Sequence, residues 1–215
     1  MTELPPEIIP ISLPTPFIVG PVNAFLIKRD PITLVDTGVG TKECYDALTA
    51  GLRAHGLEIR DIEAIMVTHG HVDHIGQLSR LVEESGAETY GHVSVVPSRI
   101  DPHEAERVSR EFLFGVFRQF GVPDEIIEET KRAREGLKGM SGPPRIDHAL
   151  NDGEHVFEFE VFHVPGHSSS DTLFVDRERG LAFTGDHVLK GVSPTPVIRR
   201  DPVTGERVKS LLEYE

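Results

Sequence analysis

The string Thr68-His69-Gly70-His71-Val72-Asp73-His74 gathers three imidazoles and a carboxylate in one short segment. That donor set suits a borderline-soft divalent cation such as zinc. His69 and His71 stand two residues apart just past an apolar run, so in extended backbone both project to the same side. Asp73 and His74 fall where a helix is predicted to begin. Asp73 is placed to cap that helix, whose positive end favours an anionic side chain. A plain polar turn gains little from three histidines, so cation binding is the stronger reading. Three more turns carry groups of the same kind: Val164-Pro165-Gly166-His167-Ser168, Phe183-Thr184-Gly185-Asp186-His187 and Leu34-Val35-Asp36-Thr37-Gly38. Each is weak alone, since a lone histidine after a strand is commonly structural and an Asp-Thr-Gly turn is ordinary. Together, four strand-end loops on one rim of a layered structure can converge on a common site.

The surrounding pattern supplies the strands that such loops need. Prolines 10, 14, 16 and 21 confine the stretch 11–27 to edge or bent strands. Apolar runs at 24–27 and 32–35, separated by a polar, proline-bearing turn, predict a hairpin. Leu48 and Leu52 predict a helix over 41–55 that stops at Gly56. A buried strand is expected at 62–68, a helix at 75–84 and a strand at 88–91. Val108, Phe112, Val116, Phe117 and Phe120 repeat at helical spacing through 104–120, and Pro123-Asp124-Glu125 opens a second helix running towards Lys138. This pair reads either as an insertion or lid over about 101–140, or as helices that are simply core. After a glycine- and proline-rich exit at 139–144, strands are expected at 156–164, 172–176 and 180–183. A short helical end near 208–214 closes a single domain of 215 residues.

Composition narrows the function classes. The 22 basic against 35 acidic side chains give a net charge of −13, which repels phosphodiester backbones and makes nucleic acid a poor partner. No apolar run of about 18 residues suggests a membrane span, and the N-terminus lacks the pattern of a secretory signal. Cys44, alone of its kind, excludes an internal disulfide and a multi-thiolate metal site. A reducing cytoplasm is the expectation that follows.

Taken together, His69-x-His71-x-Asp73-His74, Pro165-Gly166-His167 and Thr184-Gly185-Asp186, preceded by the Asp36 turn, resemble the metallo-β-lactamase-fold superfamily. The resemblance covers residues 13–190 and points to the zinc-dependent, glyoxalase II-like branch. It implies an α+β fold, an αββα sandwich of two facing mixed sheets with outer helices. It also implies a binuclear metal site: His69, His71 and His167 on one ion, Asp73 and His74 on the other, and Asp186 bridging. Asp36 would orient ligands through hydrogen bonds. One or two zinc ions are implied, with iron or manganese as alternatives. A metal-bound hydroxide would attack a small-molecule ester, thioester or lactone while Asp73 orients the nucleophile and passes on its proton.

One departure from the family pattern stands out. The family usually ends on a further strand and a Gly-His turn that gives the second metal its last histidine, and no histidine follows His187 here. The C-terminal half is therefore expected to be incomplete. Either water or His187 would finish the second site, or the chain is a metal-binding fragment without catalysis. An unfinished sheet edge would invite pairing into a homodimer. A second enzymatic reading is a mononuclear iron dioxygenase acting on a glutathione persulfide, with His71, His167 and Asp186 as candidate ligands. A diiron electron-transfer role is disfavoured, because glutamate usually stands where His71 does. His92, His103 and His148 read as surface or core, His163 could face the site, and Cys44 is assigned no chemistry.

Overall fold

The computed structural model describes residues 4–18, 20–95, 102–137, 139–142, 145–201 and 204–214, with side chains in the helix opening at 102 described from 107 onward. The predicted start of the helical pair at Asp101, the side chain of His103 and part of the 139–144 exit lie outside them.

The chain opens on β1 (Ile8–Leu13) and β2 (Val22–Ile27), paired antiparallel from Ile8↔Ile27 to Leu13↔Val22. Pro10 sits in β1, an edge strand, where a missing N–H is tolerated. β3 (Thr33–Val35) completes the expected hairpin with Leu26 opposite Leu34. Helix α1 (Lys42–Ala54) starts at Thr41, whose hydroxyl accepts from Cys44 N, and ends at His55 before the left-handed Gly56. β4 (Ala64–Val67) is buried at every position, as a strand covered on both faces must be.

The single helix expected at 75–84 is two pieces, α2 (Val72–Ile75) and α3 (Leu78–Ser85). They part at Gly76, where a Cβ would lie 2.4 Å from Gly40 N and 2.5 Å from Val72 O. Backbones meet there too closely for any side chain. β5 (Glu88–His92) follows, then the two predicted helices α4 (Pro102–Gln119) and α5 (Asp124–Gly136). β6 (His148–Leu150) has no counterpart among the expected strands. The strand expected at 156–164 is a hairpin of β7 (His155–Val156) and β8 (Phe159–His163), turning at Phe157 with φ +52°. β9 (Thr172–Asp176), β10 (Leu181–Phe183) and α6 (Ser210–Glu213) complete the order.

The strands form two sheets. One runs β1-β2-β3-β4-β5-β6, antiparallel as far as β3 and parallel from there on; the other runs β10-β9-β8-β7, antiparallel throughout. The period-2 alternation of strands divides the first sheet's side chains between two apolar layers. Leu26, Leu34, Ile65 and Val67 pack with Leu48 and Leu52 of α1 and Leu78 and Leu81 of α3. Their neighbours Ile27, Val35 and Met66 pack instead with Phe159, Val161, Phe174 and Phe183 of the second sheet. Each such side chain contributes about 1.5–3 kcal/mol of burial. The sandwich expected from the sequence is therefore present, with its second sheet purely antiparallel rather than mixed. The outer face of that sheet carries Glu160, Phe162, Leu173 and Val175, all half-buried. Among the described residues, no helix is long and apolar enough to cross a membrane.

Candidate metal centre

The four strand-end loops meet at one end of the sandwich. Asp36 follows β3 with φ +60°, a left-handed conformation that aspartate reaches more readily than most residues. This turns its carboxylate onto the next loop. Oδ1 accepts from Thr68 N at 2.9 Å, and Oδ2 accepts from Thr68 Oγ1 at 2.7 Å and from His74 Nδ1 at 2.8 Å. The His74 carbonyl is held in turn by Thr37 N and Thr37 Oγ1, at 2.7 and 2.8 Å. Gly185, before Asp186, has φ +48°, and a Cβ there would lie 2.6 Å from Thr68 Oγ1. Glycine is what lets the Asp186 loop close onto the His69 loop.

The hydrogen bonds fix the tautomers. Thr68 Oγ1 gives its only proton to Asp36, so it accepts from His69 Nδ1 at 3.2 Å and leaves Nε2 of the neutral ring bare. The Thr195 carbonyl can only accept, which puts a proton on His167 Nδ1 (3.0 Å) and leaves its Nε2 bare as well. Both bare nitrogens point at His71 Nδ1, from 3.0 Å (His69) and 2.9 Å (His167). One proton on His71 satisfies only one of them. The remaining lone pairs converge in a way that a cation would relieve.

A second group lies alongside. His74 spends Nδ1 on Asp36, and its buried Nε2 has no hydrogen-bond partner among the described residues. Asp186 Oδ1 is 3.4 Å from that nitrogen, while Oδ2 is 3.5 Å from His167 Nε2. Two overlapping groups result, His69/His71/His167 and His69/His74/Asp186, each with ligand atoms within 4.8 Å of one another. Orphaned imidazole nitrogens beside a carboxylate fit a divalent metal.

Electrostatics agree with that fit. Burial, reinforced by neighbouring rings, holds His69 well below its ordinary pKa and His71 down to about 4, so both are neutral bases. Burial also opposes charge on His74, but the Asp36 and Asp186 carboxylates outweigh it and raise the ring to about 10. Burial pushes the Asp186 carboxyl up, yet His74, His167 and His71 bring it below the usual range. Without a metal, a proton on His74 supplies the positive charge this pair of carboxylates requires.

The structure brings His69, His71, His74, His167, Asp186 and Asp36 together. Asp73 stands apart from both groups. It lies in the first turn of α2, but the N-cap is His71 and no side chain caps the helix, so the expected Asp73 cap is absent. The loop enters α2 two residues earlier than the pattern suggested, at His71 rather than Asp73. His187 stacks on Tyr214 with centroids 4.4 Å apart, and His163 stacks on His92 at 3.9 Å; neither joins a group. Thr68 and Thr195 were missed as partners of the histidines. Thr68 was readable as a hydroxyl beside the motif, whereas Thr195 acts through its carbonyl, which no sequence pattern marks.

The profile of the Metallo-beta-lactamase superfamily matches residues 17–211. The chain is similar to the probable metallo-hydrolase YqjP of Bacillus subtilis (strain 168), 29% identical over 212 residues, covering 97% of this chain and 66% of YqjP. It is also similar to the hydroxyacylglutathione hydrolase GloC of Haemophilus influenzae, 28% identical over 134 residues, covering 61% of this chain and 52% of GloC. The chain thus spans just under two thirds and about half of these two relatives. Among solved structures, the metallo-beta-lactamase family protein TTHA1429 from Thermus thermophilus superimposes with a TM-score of 0.77 at 25% identity, over 99% of this chain and 68% of TTHA1429.

Proposed function

This chain belongs to the metallo-β-lactamase superfamily, and from that premise we propose that it is a metal-dependent hydrolase of a small-molecule ester, thioester or lactone. The observation that carries the reading is the convergence of bare imidazole nitrogens from loops far apart in sequence, with the Asp186 carboxylate beside them. GloC bears the name of a hydrolase of hydroxyacylglutathione, a thioester, which supports that substrate class.

In this reading His69, His71 and His167 hold one cation. His74 and Asp186 would hold a second, and Asp186 would contribute to both. Asp73, one residue before His74, lies outside both groups in the structure; its proposed part is that of a further donor at the second position, which would orient the attacking water and take its proton. Asp36 keeps Nε2 of His74 turned inward by accepting from its Nδ1. A bound divalent cation lowers the pKa of its water from about 15.7 to near 7 and polarises the scissile carbonyl. Zinc suits the imidazole-rich donor set, and iron or manganese could replace it. The −13 charge keeps nucleic acid an unsuitable partner.

Elemental analysis of the protein and of its His69→Ala and Asp186→Ala variants tests this, together with rates on thioesters, lactones and phosphodiesters. The expected result is a metal load that both variants lose, and turnover of an acyl substrate. An unchanged load in both variants sinks the site. Oxygen uptake with a persulfide in place of hydrolysis sinks the reaction class.

A further inference from the structure

The loop carrying His167 continues into Ser168-Ser169-Ser170-Asp171, a polar string in which all but the exposed Ser169 are buried. Ser168, Ser170 and Asp171 are 7%, 3% and 2% exposed. Burying polar residues so close together costs free energy unless their bonds are satisfied and placed to some end. One of these bonds runs to the His69–His71 loop, and the others tie the string to itself and to His163. Ser170 Oγ accepts from Gly70 N at 3.0 Å, across a hundred residues of sequence. Gly70 is the residue between His69 and His71, so the orientation of its peptide sets where both rings point. Asp171 Oδ2 accepts from Ser168 N at 2.6 Å, on the residue that follows His167. The two ends are joined, because Ser170 N donates to Ser168 Oγ at 3.1 Å and the two hydroxyls are 3.0 Å apart. His163 Nε2 donates to the Ser169 carbonyl at 2.9 Å and fixes the remaining peptide.

We propose that Ser170 and Asp171 are positioning residues of the metal centre, forming a clasp that sets His69 and His71 against His167. The inference rests on the metal-centre reading above.

A general structural role explains less. The strands are already tied at this point by Thr172 N donating to Thr68 O at 2.9 Å, so the clasp is not needed to join the sheets. Among the described residues, Asp171 Oδ1 is buried with no hydrogen-bond partner. A neutral side chain would hold Ser168 N without leaving a carboxylate oxygen uncompensated, and a divalent cation held by His167, on the same loop, would offset that charge.

The test is titration of the metal-free protein with cobalt(II), whose visible ligand-field bands report the geometry of the imidazole ligands, in competition with a chelator. Three variants are compared with the unsubstituted chain. Ser170→Ala removes the acceptor for Gly70 N. Asp171→Ala removes the acceptor for Ser168 N together with the charge. Asp171→Asn keeps an acceptor and removes only the charge. The expected result is a loss of cobalt affinity of about 10–100-fold for Ser170→Ala and Asp171→Ala, a smaller loss for Asp171→Asn, and shifted bands in the two alanine variants. Asp171→Asn is expected to melt close to the unsubstituted protein when metal-free, which separates positioning from stability. Far-UV circular dichroism identifies any alanine variant that fails to fold, and Asp171→Asn then decides alone. Unchanged affinity and bands in the folded variants overturn the clasp while leaving the metal centre standing. An unsubstituted chain that takes up no cobalt overturns the metal centre and the clasp with it.

Discussion

The two sheets furnish the candidate centre with groups of different character. The first sheet is covered on both faces, by α1 and α3 on one side and by the second sheet on the other. The groups that follow its strands, Asp36, His69 and His74, are almost wholly buried and bonded to one another or through Thr68. The second sheet buries its inner face, and its contributions are more open: the side chains of His167 and Asp186 remain 15% and 25% exposed. His167 is oriented by the Thr195 carbonyl, and Asp171 holds the N–H of the residue that follows it. One half of the centre is thus built by the core, and the other is brought to it by loops. A cation would join a rigid base to a more adjustable cover.

The comparison breaks most visibly at the ligands. His69 belongs to both groups and His167 to one. His69→Ala should therefore lower the metal load more than His167→Ala, as read by elemental analysis. Equal losses would mean that the cover matters as much as the base. Next in size is Asp36→Ala, which strands Thr68 N, Thr68 Oγ1 and His74 Nδ1 in a buried place. It should cost about 3–5 kcal/mol in urea denaturation, against a much smaller loss for Asp186→Ala in the metal-free protein.

A third test stays within the second sheet. Phe174, fully buried between the sheets, should cost about 3–5 kcal/mol on truncation to alanine. Phe162 on the outer face should cost about 1 kcal/mol or less. A large loss at Phe162 would show that this face is covered in solution. The smallest effect concerns pH. His92 of β5 stacks on His163 of β8, bridging the sheets, and burial together with the His163 ring lowers its pKa. The unfolded chain then binds the proton more readily. Stability from this source is complete above about pH 6.5 and falls as pH drops towards the folded value. His92→Gln should flatten that part of the stability–pH curve.

The sequence was most readable where period and chemistry coincided. Leu48 and Leu52 with Thr41 and Gly56 marked α1 within a residue at each end, because caps and apolar spacing agreed. The His-x-His string and the loops of Asp36, His167 and Asp186 were visible as donors after apolar runs, and the fold joins them. What escaped depends on contacts rather than on pattern. The break between α2 and α3 follows from the Gly40 backbone lying against Gly76. β6, only three residues long, presents too few positions for a period, and Phe157 turns the β7–β8 hairpin without a glycine. Asp73 satisfied every local rule for a cap, yet the chain enters the helix at His71.

The backbone at Asp36 carries a consequence for any attempt to diversify this protein. A positive φ admits glycine, asparagine and aspartate and penalises almost everything else. The donors gathered on its two oxygens then reject glycine, which offers no acceptor, and asparagine, whose amide would set hydrogens against hydrogens. Two independent filters, one conformational and one electronic, leave a single permitted amino acid. A saturation library screened for folding alone, with metal withheld, should already be nearly monomorphic at this codon.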